Sequence, residues 1–133
     1  MTRVNPVTNQ EQIIVVEDDH SVKHAIERLL EVGGFGARSF TCAESLLQSG
    51  IAPEAACFVF DIHLPGLSGL ELCQRLVEKG VKRPVIFITA HDEPSLRKSA
   101  QQFGATTWLV KPFPGRSLLD AVPRAIQPVH ARK

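Results

Sequence analysis

Cysteine is scarce in this chain. Cys42, Cys57 and Cys73 are odd in number and form no close-spaced pair, so nothing points to a disulfide framework or a zinc site. Cys57 and Cys73 fall inside apolar runs, where cysteine reads as a small buried side chain. An excess of either charge is missing too. Lys and Arg number 15 against 14 Asp and Glu, a formal net charge of +1, so no global field favours nucleic acid or a membrane surface. No apolar stretch approaches membrane-spanning length. Met1 to Gln12 is polar, carries Pro6 and two Asn, and lacks the apolar region of a signal peptide. A cytoplasmic protein with no membrane association and no direct contact with nucleic acid is the expectation.

What is present is an alternation. Ile13-Ile14-Val15-Val16 is β-branched throughout, too short for a helix and apolar on both faces. Cys57-Phe58-Val59-Phe60 and Val85-Ile86-Phe87-Ile88 repeat the pattern, and Trp108-Leu109-Val110 is a shorter case. Strands covered on both faces read this way, which predicts a parallel sheet. Ala37-Arg38-Ser39-Phe40 is more polar and suits an edge strand. Between the runs lie helix-period segments. From Ser21 to Val32, the residues Val22, Ala25, Ile26, Leu29 and Leu30 fall on one face, and Gly33-Gly34 end the helix. Ala43 to Gln48 makes a short second helix. Leu70 to Lys79 makes a third, stopped by Gly80. Pro94 suits the first turn of a fourth, running to about Phe103 with Gly104 as terminator. The last begins near Gly115, and Pro123 is expected to kink or shorten it. Five strand–helix repeats with right-handed crossovers give one doubly wound α/β domain over residues 12–127. Residues 1–11 read as a flexible leader and 128–133 as a solvated tail.

In open α/β sheets, sites form outside the carboxyl ends of the strands. Here the first strand runs into Glu17-Asp18-Asp19, the third into Asp61, the fourth into Thr89 and the fifth into Lys111. A single acid at a strand end is more often a helix cap, and Asp19 is placed to cap the following helix. Four strand ends bearing the right type together are another matter. Clustered carboxylates repel until a proton or cation relieves them. An all-oxygen site next to phosphate chemistry suits Mg²⁺, which bridges carboxylates to phosphate oxygens. Lys111 offers a point charge for a phosphoryl oxygen and Thr89 a hydroxyl donor. These are the parts that position and neutralise a transferring phosphoryl group, with Asp61 as nucleophile.

Val16-Glu17-Asp18, the run Asp61-Ile62-His63-Leu64-Pro65-Gly66-Leu67-Ser68-Gly69, Thr89-Ala90 and Lys111-Pro112-Phe113 occur in that order. In this combination the chain, from about Gln12 to Ile126, resembles a receiver domain of two-component response regulators. The resemblance implies a flavodoxin-like, three-layer (βα)5 sandwich around a five-stranded parallel sheet. It implies a signalling module rather than an enzyme in the usual sense, which catalyses only its own phosphorylation and dephosphorylation. Asp61 would take a phosphoryl group from a sensor histidine kinase or a histidine phosphotransfer protein. Asp18, Asp61 and the main-chain carbonyl of His63 would hold Mg²⁺, with Glu17 acting through water. Lys111 would contact the phosphoryl group, and Lys111-Pro112 would be a cis peptide. Thr89 and Trp108 would form the switch, and His63 and His91 would tune how long the phosphoryl group survives, since histidine titrates near neutrality.

Trp108 stands where the family usually has Tyr or Phe, and its larger ring needs more room to turn inward. The stretch around His91 and Pro94 is similar to receivers often joined to a helix-turn-helix domain, and no such domain follows Ile126 in this sequence. Receivers commonly dimerise or meet their targets through the last helix, so a homodimer is among the expected partners; the downstream target is open. Other readings weigh less. A haloacid-dehalogenase-type phosphohydrolase would place a second Asp where His63 stands. A flavin- or nucleotide-binding domain needs a glycine- or hydroxyl-rich first loop rather than three carboxylates. A degenerate receiver serving only as a binding module would not need the full set of Asp18, Asp61, Thr89 and Lys111.

Overall fold

Runs of β-branched and aromatic residues too short to complete a helix pair side by side instead. In the computed structural model, which describes residues 11–103 and 105–126, they form five strands. These are β1 (Gln12–Val16), β2 (Gly36–Phe40), β3 (Cys57–Asp61), β4 (Val85–Thr89) and β5 (Ala105–Val110). All pair in parallel, in the order β2-β1-β3-β4-β5. The leader up to residue 10, the Gly104 terminator and the 128–133 tail lie outside the described residues. Among those described, no helix is long and apolar enough to cross a membrane.

Alternate strand residues feed two separate cores, as the two-residue period of a strand requires. Ile14, Val16, Phe58, Phe60, Val85 and Phe87 pack on one face of the sheet. Ile13, Val15, Cys57, Val59, Ile86 and Ile88 pack on the other. The second face is covered by α1 (His20–Val32) through Ile26 and Leu30, and by α5 (Gly115–Ile126) through Leu118, Val122 and Ala125. The first is covered by α2 (Ala43–Ser49), α3 (Gly69–Glu78) and α4 (Pro94–Gln102). This is the flavodoxin-like, three-layer doubly wound sandwich. Complete burial on both faces, at about 1.5–3 kcal/mol for each large apolar side chain, is what keeps β3 and β4 central.

The helix ends follow local chemistry. Asp19 caps α1, its Oδ1 accepting the Ser21 and Val22 N–H groups at 2.9 and 3.1 Å. α3 starts one residue before the expected Leu70. Ser68 and Glu71 form a reciprocal capping box that draws Gly69 into the helix. The predicted shortening of the last helix does not occur: α5 continues past Pro123 to Ile126. Pro123 faces solvent while Ala121, Val122 and Ala125 are buried, so the apolar face holds the helix to the sheet despite the lost donor. β5 begins before Trp108, because Ala105 to Thr107 pair with β4 without an apolar run of their own.

The strand order reverses between β1 and β3, which sit side by side while β2 lies outside β1. That crevice, at the carboxyl ends of the strands, is where open α/β sheets place ligands. Gly69 brings α3 hard against it. A Cβ at this position would lie 2.3 Å from the Asp61 carbonyl oxygen, so only glycine allows the approach.

Candidate functional site

The strand ends converge as expected. Asp61 is the last residue of β3, Glu17 and Asp18 follow β1, Thr89 ends β4 and Lys111 follows β5. Three main-chain bonds carry the sheet past its strands and fix their relative height. The Glu17 N–H donates to Phe40 O (3.0 Å), the Ile62 N–H to Ile88 O (2.9 Å), and the Lys111 N–H to Thr89 O (2.7 Å). The Lys111–Pro112 peptide is cis, as expected. Glu17, Asp18, Asp61, His63, His91 and Lys111 line an open cleft of about 430 Å³.

Electrostatics organise the cleft around one ammonium. Lys111 Nζ donates to Asp61 Oδ2 at 2.8 Å and lies 3.0 Å from Glu17 Oε1. The second contact is an ion pair without directed hydrogen-bond geometry, and Glu17 Oε1 is left buried with no hydrogen-bond donor. The other Glu17 oxygen accepts the Asp19 N–H at 3.0 Å. Burial pushes the Glu17 carboxyl up to about 7, against the opposing pull of the Asp19 N–H and of Lys111. Burial also works against the Lys111 ammonium. Its hydrogen bond to Asp61 and its proximity to both the Asp61 and Glu17 carboxylates outweigh that and hold its pKa above the ordinary lysine value.

The Glu17, Asp18 and Asp61 side chains each bring a carboxylate oxygen within 4.8 Å of the others. Asp18 is exposed, Glu17 and Asp61 are buried. Hard oxygen donors, three acids against one lysine, and a buried Glu17 oxygen whose one charged neighbour is the ammonium it shares with Asp61 together fit a small divalent cation of the Mg²⁺ type. Asp61 Oδ1 is engaged by the His63 N–H at 2.9 Å, which holds that N–H beside the acids at a residue lining the cleft.

The switch candidates are placed differently from each other. Thr89 is fully buried and its hydroxyl is occupied, donating to His91 O and accepting from His91 N–H, both at 3.0 Å. Trp108 is half-buried, tilted against Phe87 at a centroid distance of 6.4 Å. His63 and His91 are both exposed and meet edge to face across the cleft mouth, 5.6 Å apart. Sequence reasoning treated them as separate residues.

Two features escaped that reasoning. Asp92 accepts the Trp108 indole N–H at 3.1 Å and pairs with Arg97, whose guanidinium lies over the indole ring at 5.6 Å. Glu44, from the first turn of α2, accepts the Leu67 N–H at 3.0 Å. Neither relation has a sequence signal, because each joins elements that only the fold brings together. The Cys57 and Cys73 thiols are raised by burial to about 12 and 11, so they stay protonated and inert.

Residues 13–123 match the response regulator receiver domain family. The chain belongs to that family. This receiver is 37% identical over 115 residues to nodulation protein W of Bradyrhizobium diazoefficiens, covering 86% of this chain and 51% of that one. It is 35% identical over 108 residues to the transcriptional regulatory protein FixJ of Azorhizobium caulinodans, covering 81% and 51%. The chain thus spans about half the length of these relatives. Among solved structures, response regulator StyR superposes with a TM-score of 0.82 at 36% identity, covering 92% of this chain and 62% of that one. A CheY-like receiver from Methanospirillum hungatei, at 20% identity and a TM-score of 0.83 over 94% of this chain and all of its own, shows the same fold. The receiver is a signalling module of a two-component system.

Proposed function

We propose that this receiver accepts a phosphoryl group on Asp61 from a phosphohistidine, carried by a sensor histidine kinase or a histidine phosphotransfer protein, and signals through the β4–α4 loop and β5. The observation that carries this reading is the Lys111 ammonium, 2.8 Å from Asp61 Oδ2 inside a cluster of three carboxylates. A nucleophilic carboxylate beside a fixed cation, with further acids to hold a second one, is the arrangement that phosphoryl transfer needs.

An Asp61 oxygen attacks phosphorus, the phosphorus–nitrogen bond breaks, and the donor imidazole leaves with its electron pair, taking up a proton. The product is a mixed anhydride on Asp61. Lys111 stays within reach of the phosphoryl oxygens as Oδ2 gives up its contact. Asp18, Asp61 and the His63 main-chain carbonyl would hold Mg²⁺, with Glu17 acting through water. When bound, Mg²⁺ supplies charge neutralisation for the acids and the incoming phosphoryl oxygens. Thr89 must release His91 O before its hydroxyl can donate to the phosphoryl group, and that release frees the loop leading to Asp92 and Trp108. The His63 and His91 rings, facing each other over the mouth, restrict water's approach to the anhydride and so set its lifetime.

The output is a protein target under phosphorylation control, with a homodimer as one form of it. The transcriptional regulators among the relatives support a transcriptional end-point for the pathway, in a cytoplasmic setting. Residues 12–127 are read as the functional unit.

Incubation with Mg²⁺ and acetyl phosphate tests the reading. Stoichiometric, Mg²⁺-dependent incorporation that Asp61→Asn abolishes is the expected result. Many-turnover hydrolysis of phosphate esters would point to a phosphohydrolase instead. Failure to bind Mg²⁺ or a beryllofluoride mimic would leave a phosphorylation-independent interaction module.

A further inference from the structure

The loop over residues 62–68, between β3 and α3, carries the His63 main chain at the mouth of the cleft. Its two ends are fixed locally. The His63 N–H donates to Asp61 Oδ1, the Gly69 N–H donates to Ile62 O at 3.0 Å, and the Ser68–Glu71 capping box closes the far end. The middle is fixed from elsewhere. Glu44, 23 residues from Leu67 in sequence, accepts the Leu67 N–H at Oε2. That N–H, aided by the Glu44 main chain, holds the Glu44 carboxyl below its ordinary range. The charge-assisted bond is therefore stronger than a neutral one.

Gly66 makes the approach possible. Its φ of +75° suits glycine, and a Cβ there would lie 2.5 Å from Glu44 Oε2. The Leu67 side chain packs partly buried against the core shared with Ala43 and Leu46 of α2. Helix α2 and the loop thus border the same core and are joined by one ionised acceptor. Glu44 is not among the residues lining the cleft, so any influence on it passes through the loop.

We propose that Glu44 is a positioning residue for the site: through the Leu67 N–H it holds the loop so that the His63 main chain stays aligned with Asp61. The inference rests on the proposed role of Asp61 and names a residue outside the cleft on which cation affinity depends. Loss of the bond lets residues 63–67 sample other arrangements, and cation binding must then reorder them.

The test uses the full chain with Mg²⁺ titrated by calorimetry, at a temperature where unfolding curves show every variant folded. Glu44→Ala is expected to weaken Mg²⁺ binding by about three- to tenfold, the loss of one hydrogen bond to a charged acceptor. It should also speed amide hydrogen exchange at Leu67 and His63. Glu44→Gln keeps an oxygen acceptor without the charge and is expected to recover most of the affinity. Unchanged affinity in Glu44→Ala, with normal binding by the parent chain, overturns the role of Glu44 and leaves that of Asp61 standing. Equal losses in both variants, with amide exchange at Leu67 unchanged from the parent, would assign the effect to long-range charge rather than to the bond and also overturn it. A parent chain that binds neither Mg²⁺ nor beryllofluoride removes both.

Discussion

The Trp108 indole N–H donates to Asp92 Oδ1 at 3.1 Å, which ties the β5 aromatic to the loop that also holds Thr89. Asp92 directly follows His91, whose main-chain N–H and C=O are the partners of the Thr89 hydroxyl. A short chain of contacts therefore runs from the cleft to the surface of α4 and β5. Arg97 adds to it, with Nε and Nη2 on the two Asp92 oxygens at 3.0 and 3.3 Å. The larger ring at this position has been met by tethering its polar edge rather than by enclosing it.

If Thr89 moves on phosphorylation, that tether must loosen. Asp92→Ala is expected to shift Trp108 emission in the unmodified protein toward the emission the parent chain shows with beryllofluoride. Trp108 is the single tryptophan, so steady-state fluorescence reads it directly. An Asp92→Ala spectrum identical to the parent's, with and without the mimic, would show that Asp92 does not restrain the ring.

Glu17 predicts a pH dependence in the metal-free protein. Its folded pKa of about 7 lies above the ordinary 4.5, so the native state keeps a proton that the unfolded state releases between those values. The stability linked to Glu17 is full below about 4.5, falls as pH rises toward 7, and levels off above. Glu17→Gln has no such proton. Measured with chelator by urea unfolding, the stability of the parent relative to Glu17→Gln should decline from pH 4.5 to 7. A constant difference across that range would contradict the burial assigned to Glu17.

Lys111→Ala removes the cation between two buried carboxylates. Stability at neutral pH should fall by on the order of 2 kcal/mol, less than for a wholly buried pair because Lys111 is partly exposed. Added Mg²⁺ should restore part of it by neutralising the same oxygens, as thermal unfolding would report. No recovery with Mg²⁺ would count against a cation site formed by these acids.

Gly69→Ala places a methyl group against the Asp61 carbonyl, a main-chain atom that cannot swing aside. A cost of about 1–3 kcal/mol is expected from the forced displacement, visible as a lower urea midpoint. Beryllofluoride binding should weaken as well, since the end of β3 carries Asp61.

Much of this was legible in the sequence, and the physical reason is periodicity. Fully buried parallel strands leave unbroken apolar runs, so Ile13–Val16 and Val85–Ile88 announced themselves, and the residues after them could be assigned to one edge of the sheet. The first half of β5 did not, because Thr107 and its neighbours take strand geometry from pairing with β4 and not from their own hydrophobicity. Pro123 misled for a related reason: packing of Val122 and Ala125 outweighs one missing donor. The cleft's acids and lysine were readable from their strand ends. The Glu44–Leu67, Asp92–Trp108 and His63–His91 contacts were not, since each depends on side-chain reach between separate elements.

The most direct test of phosphoryl transfer to Asp61 is to map the modified residue. After incubation with acetyl phosphate and Mg²⁺, the acyl phosphate is reduced with borohydride and the digested chain is analysed by mass spectrometry. Reduction of one aspartate, at position 61, dependent on Mg²⁺ and lost on substituting Lys111, is the predicted result. An unmodified Asp61, or label on another residue at equal yield, would contradict it.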